Sequence, residues 1–186
     1  MQFPVFSAPD PTTEHTSRPL LLLSMGDVNG IGPEILAKAL ARPEIAACCT
    51  PVVVGSAQAL EAMRRLAPAC PPPAAVQRIE EARALALEGH TPVLEAGIAA
   101  PPVSPGKLDA GAGAAAVAWI REAVRLVLDG AAAGIVTCPV SKEAMALAGE
   151  RHLGHTGLIA EMCGVEEYRM CLFAGPLRVV HITGHL

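Results

Sequence analysis

Short apolar runs alternate along this chain with longer stretches in which apolar positions recur every three or four residues. The first pattern marks strands covered on both faces, the second amphipathic helices. Residues 20–25 (LLLLSM) read as a buried strand, followed by a helix from Pro33 to about Arg42 with Ile35, Leu36, Ala39 and Leu40 on one face. Residues 51–55 (PVVVG) give a second buried strand. Ser56 is placed to cap a helix over 57–66 that stops before Pro68. Residues 69–75, with three consecutive prolines, form a connector, and 76–79 and 92–94 are short strand candidates. After a proline-rich loop over 98–106 comes the longest helical pattern, 109–129. There Val117, Ile120, Val124 and Leu128 share a face, Trp119 belongs to the core, and Gly130 ends the helix. A buried strand over 134–137, helices over 141–148 and 154–164, and paired strands over 170–173 and 177–183 complete the pattern.

Strands alternating with helices indicate an α/β fold with a mainly parallel sheet. The expected organisation is a loose leader over 1–19, marked by four prolines, a first α/β part over 20–106 and a second over 107–186. The chain stops one residue after His185, where a strand closes with no helix to cover it, so it reads as cut short.

Composition removes several function classes. The net charge of −4 and an aromatic content of only 3% speak against a nucleic-acid groove, which needs a basic face and stacking platforms. Mean hydropathy is high at +0.41, carried by Ala, Val and Leu, yet no apolar run approaches the ~20 residues that span a bilayer. The N-terminus has neither the basic start nor the apolar segment of a secretory signal. The six cysteines contain no C-x-x-C pair and read as reduced, small buried hydrophobes of a cytoplasmic protein.

The run MGDVNGIGPEIL, residues 25–36, carries the first chemical signal. Gly26, Gly30 and Gly32 let the backbone approach a ligand, Pro33 presets a first helical turn, and Glu34 suits the helix dipole. Strand, glycine turn and helix start are together where open α/β sheets take small ligands. The spacing is neither the dinucleotide fingerprint nor a P-loop, and a purely structural turn is an equal reading. Four of the six histidines fall in the last 35 residues. His181 and His185 lie about 13 Å apart if one strand carries both, too far to share a metal, and His181 reads as a core or sheet-face residue. His155 and Thr156 open a helix where an anion can dock, or are a capping Thr beside a surface His; Lys142 opens another.

MGDVNGIGPEI, TCPVSKEAM, GHT and the terminal Thr183-Gly184-His185-Leu186, in that order, resemble the 4-hydroxythreonine-4-phosphate dehydrogenase (PdxA) family of pyridoxal 5′-phosphate synthesis. The resemblance implies a three-layer α/β/α fold similar to isocitrate and isopropylmalate dehydrogenases, here incomplete at the C-terminus. It implies NAD-dependent oxidation of a small phosphorylated hydroxy acid, 4-phosphohydroxy-L-threonine, followed by loss of carbon dioxide. It also implies a homodimer and a divalent metal held by three histidines: zinc, with magnesium or cobalt as alternatives. Carried onto this chain, His185 matches the first metal ligand, and His155 and Thr156 match the pair that contacts substrate. No residue here is assigned to NAD.

Two positions depart from the family pattern: Val28 replaces a common proline, and Gly157 follows Gly-His-Thr where Glu is common. The second keeps open a dehydrogenase of threonate or erythronate 4-phosphate. With one metal histidine, the 186 residues alone are expected to be inactive, and a non-catalytic remnant is the reading from another class.

Overall fold

The computed structural model describes residues 18–96, 99–152 and 154–182. Most of the leader and the terminal Thr183-Gly184-His185-Leu186 lie outside the described residues.

Five parallel strands form one sheet in the order β3-β4-β2-β1-β5. They are β1 (Leu20–Ser24), β2 (Thr50–Val54), β3 (Pro73–Val76), β4 (Thr91–Leu94) and β5 (Gly134–Thr137). The helices between them are α1 (Gly32–Leu40), α2 (Pro43–Cys48), α3 (Ala57–Met63), α4 (Ala82–Leu87) and α5 (Ala110–Leu128). Val52, Val53 and Val54 are all fully buried. Successive strand residues point to opposite faces, so both faces of the sheet are covered, which is the three-layer α/β arrangement. The sheet runs across the boundary at 106/107, because β5 pairs with β1 from Leu21↔Gly134 to Ser24↔Thr137.

Side-chain caps set the helix starts. Ser56, Asp109 and Ser141 each accept a hydrogen bond from the backbone N–H three residues on. Each such cap stabilises its helix by about 1 kcal/mol. Gly130, at φ +77°, ends α5.

The helix α5 organises the core. Ala112, Ala115, Trp119 and Ala123 pack into the main cluster with β1, β2 and α1. Ile120 and Val124 instead meet Leu158 in a second cluster. Leu158 lies on α7 (His155–Met162), which follows α6 (Lys142–Leu147). Thus one helix grips both the sheet and α7. A final hairpin, β6 (Cys171–Ala174) and β7 (Leu177–Val180), pairs antiparallel and stands apart from the sheet.

Several expectations need correction. Ile35 is 41% exposed, and α1 buries Pro33, Leu36, Ala37 and Leu40 instead. Leu128 is exposed, because α5 turns small alanines rather than that leucine toward the core. The strand β5 lies at the sheet edge with Val136 half exposed, so it is not a buried strand. Pro73, Ala74 and Ala75 belong to β3 rather than to a connector; an edge strand tolerates a proline that cannot donate. Cys48 and Cys163 are exposed and not buried hydrophobes, although all six cysteines are free thiols. Helices α2 and α4, unforeseen, bury no residue and only Ala82 respectively, so neither leaves an apolar stripe to read.

Candidate active site

In an open parallel sheet, ligands gather beyond the carboxyl ends of the strands where chain order reverses. Here that reversal lies between β1 and β5. The glycine run after β1 does sit there, but its glycines serve the chain's own backbone. Gly26 takes φ +72°, and a Cβ on it would stand 2.2 Å from the Pro139 carbonyl oxygen. A Cβ on Gly32 would stand 2.1 Å from that of Met25. Asp27 N–H donates to Pro139 O at 3.1 Å, and the Asp27 carboxylate accepts from Asn29 N–H at 2.9 Å. Asn29 then holds the loop leading to α5. Its amide donates to Lys107 O at 3.1 Å, and its side-chain oxygen accepts from Ser104 N–H at 2.8 Å. Residues 25–29 are buried throughout. The ligand-turn reading gives way to the structural one.

The hollow lies one step outward, past the end of β5. About 1120 Å³ in volume, it is walled on one side by Thr137, Pro139, Val140 and Lys142. His155, Thr156 and Gly157, the first turn of α7, form its floor, and Tyr168, Arg169, Met170, His181 and Ile182 its outer wall. The sequence-derived pair therefore does converge with Lys142 on one space. His185 lies outside the described residues. His181 is half-buried at the hollow rather than in a core, just past β7, where its N–H donates to Met170 O at 3.0 Å.

Local sequence explains the placement. The Ser141 hydroxyl caps α6 and so orients Lys142 in its first turn. Gly154, at φ +142°, turns the chain into α7, and a Cβ there would meet Lys142 Cε at 3.8 Å. Leu158, fully buried beneath α5, anchors α7 from below. The first-turn amides of α7 have no intrahelical partner, as at any helix start.

Electrostatics favours an anion. Lys142, Arg151 and Arg169 line the hollow against Glu166. Burial first, and the Lys142 ammonium second, pull the His155 imidazole below its ordinary value. It is therefore neutral at pH 7, and its buried Nδ1 has no hydrogen-bond partner among the described residues. An orphaned buried nitrogen is costly unless a ligand meets it.

Beside it stands a group that the sequence reading passed over. His152 Nδ1 lies 2.8 Å from Glu150 Oε1, and its Nε2 lies 2.9 Å from Glu161 Oε2. Arg121 of α5 donates to Glu150 at 2.8 Å, and Arg151 pairs with Glu161. Burial acts to raise the Glu150 carboxyl, but hydrogen bonds from His152 and Arg121 bring it down to about 2. This chain of charges ties the loop before α7 to α5. Gly157 makes room for it: a Cβ there would stand 3.2 Å from the His152 ring and 3.5 Å from the Tyr168 hydroxyl. The clue was in the sequence, since Gly157 departs from the family pattern and His152 lies five residues before it.

The sequence profile of the family described as "Pyridoxal phosphate biosynthetic protein PdxA" matches residues 47–186. A D-threonate 4-phosphate dehydrogenase of Cupriavidus necator is 38% identical over 168 residues, covering 90% of this chain and 50% of that protein. A 4-hydroxythreonine-4-phosphate dehydrogenase of Trichlorobacter lovleyi is 37% identical over 174 residues, covering 92% and 51%. The crystal structure of a 4-hydroxythreonine-4-phosphate dehydrogenase from Burkholderia phymatum superposes with a TM-score of 0.80 at 34% identity, covering 91% and 51%. The chain spans about half the length of the curated relatives it matches.

Proposed function

We propose a function from one premise: this chain belongs to the PdxA family of pyridoxal phosphate biosynthetic proteins. It supplies the substrate-gripping side of an NAD-dependent dehydrogenase that oxidises 4-phosphohydroxy-L-threonine with loss of carbon dioxide. The observation that carries this is the meeting of His155, Thr156 and Lys142 in one hollow with a cationic lining. Neutral His155 offers its orphaned nitrogen to a hydroxyl or carboxylate of the substrate, the Thr156 hydroxyl holds a second oxygen, and Lys142 balances negative charge. Fixing the substrate this way matters because a misplacement of about 1 Å costs ~100-fold in rate.

The described residues do not themselves fit the divalent ion that the family implies. Among them no group of three His, Cys, Asp or Glu could hold a metal. On the motif resemblance His185 is proposed as one ligand, and no step is routed through the ion. No residue of the chain is assigned to NAD. Accordingly these 186 residues are proposed to bind substrate without turning it over.

A second substrate is favoured by one observation. Gly157 leaves the floor of the hollow without a carboxylate, and the Cupriavidus necator relative carries the name D-threonate 4-phosphate dehydrogenase. A phosphorylated sugar acid is the alternative substrate. We also propose a homodimer, supported by the apolar side chains that the β6–β7 hairpin leaves uncovered, Phe173 and Leu177 among them. Six free cysteines suit the reducing cytoplasm, where we place the protein. No helix of the described residues is long and apolar enough to cross a membrane.

Calorimetric titration of the chain with 4-phosphohydroxy-L-threonine and with D-threonate 4-phosphate tests the reading. Lys142→Met and His155→Ala should each weaken binding by about 10- to 100-fold, the worth of one charged or buried hydrogen bond. Unchanged affinity in both variants overturns the assignment. NADH formation by the chain alone overturns the claim that it does not turn substrate over.

A further inference from the structure

At the amino ends of the parallel strands, away from the hollow past the carboxyl end of β5, α2 runs into the central strand β2 through two adjacent cysteines, Cys48 and Cys49. Both thiols donate to one carbonyl, that of Ile45, at 3.3 Å from Cys48 and 3.4 Å from Cys49. Cys48 is exposed and Cys49 buried, so the two residues differ in their access to solvent while their thiols share one acceptor. Arg18 runs alongside, its guanidinium donating to Ala46 O and lying near the Cys49 thiol.

We propose that Cys48 and Cys49 form a vicinal dithiol site for a thiophilic trivalent arsenical. The number of donors selects this class. A structural zinc ion takes four protein ligands, and among the described residues no group of three His, Cys, Asp or Glu side chains could hold a metal. An organoarsenic(III) centre brings its own carbon and needs two sulfurs, which is what this corner provides. Starting from the hydrated arsenous form, two As–S bonds form and two As–O bonds break. Each thiol proton leaves with a hydroxide as water, and no atom changes oxidation state.

The burial pattern sets the order of events. Exposed Cys48 reacts first. Burial, then the neighbouring Cys48, pushes the Cys49 thiol up to about 11, so it stays protonated and meets free reagent poorly. Once arsenic sits on Cys48, however, the second bond is intramolecular and gains from an effective concentration in the millimolar range or above.

The test is intact-mass analysis of the full chain with equimolar phenylarsine oxide in excess glutathione. The expected result is a single adduct that glutathione does not displace and 2,3-dimercaptopropanol removes. Cys163→Ser and Cys171→Ser should keep it, whereas Cys48→Ser and Cys49→Ala should lose at least nine-tenths of it. Cys48 is exposed, so its serine variant folds and is decisive even if the buried Cys49→Ala variant does not fold. Survival of the adduct in Cys48→Ser, or its displacement by glutathione from the unaltered chain, overturns the proposal.

Discussion

Replacing Gly113 by alanine tests how α6 is held beside the hollow. Gly113 lies within α5, where glycine ordinarily destabilises a helix by about 0.5–1 kcal/mol relative to alanine. At an open position the exchange would therefore stabilise the protein. Here a Cβ would stand 2.1 Å from Ala144 O, 2.3 Å from its carbonyl carbon and 2.8 Å from Met145 N, all backbone atoms of α6. Ordinary contact begins at 3.4 Å, so α6 must retreat by more than an ångström. It has little freedom to do so, being pinned by its Ser141 cap and by Met145, which is fully buried. Overpacking of this kind costs about 1–3 kcal/mol, occasionally more, which outweighs the propensity gain. Gly113→Ala should thus lower the urea midpoint by an amount worth about 1–2 kcal/mol at unchanged slope, and a larger side chain such as valine should lower it further. Since α6 carries Lys142, ligand affinity should fall as well. A Gly113→Ala variant more stable than the parent would refute the close approach of α5 and α6.

Further outcomes follow from the same contacts. Leu158→Ala should destabilise by about 2–5 kcal/mol in chemical unfolding, because the cavity opens between α5 and α7; a loss under 1 kcal/mol would mean that α7 is not anchored there. Lys142→Met should raise the His155 pKa while leaving it below its ordinary value, since burial is the larger cause; imidazole resonances followed against pH would show no movement if the two groups were apart. Because the folded His155 value lies below the unfolded one, its share of stability is complete above about pH 6.5 and is lost as pH falls through the folded value. Glu150 carries the same sign in another window: its contribution is complete above about pH 4.5 and disappears toward pH 2. Glu150→Gln should therefore flatten the acid limb of the unfolding curve and cost about 1 kcal/mol at neutral pH, half-exposed Arg121 being partly screened; an acid limb identical to the parent's would contradict the pairing.

The sheet was legible because its central strands, LLLLS and TPVVV, are apolar enough to be covered on both faces, and because Ser56, Asp109 and Ser141 announce their helices. Helices α2 and α4 left little signal, since one buries no residue and the other only Ala82, with Leu85 partly buried beside it. Glycines between a strand and a helix start left a ligand turn and a structural turn equally open, since sequence does not say whose oxygen comes close; only the fold brings Pro139 against Gly26. The pair His155–Thr156 could be read because it is contiguous with a helix start. Arg169 and His181 could not, because they reach the hollow from a hairpin whose approach to α7 is written in no local pattern. His152 was missed for a different reason: its partners are two carboxylates on either side of a turn, brought together with Gly157 close beside the ring, where a Cβ would press on it at 3.2 Å.

The exposed hairpin has a consequence for the hollow. Two four-residue strands do not hold together unaided in water, and Leu172, Leu177 and Val180 present exposed oily side chains, as does Phe173, overlaid by the Arg178 guanidinium. Yet Tyr168 and Met170 just before this element, and His181 just after it, line the hollow proposed to take substrate. The inner half of that space is built on a rigid frame, while the outer half is only as firm as whatever docks against the hairpin. If the proposed homodimer covers the hairpin, dilution rather than any change in chemistry should be enough to loosen the grip on the proposed substrate.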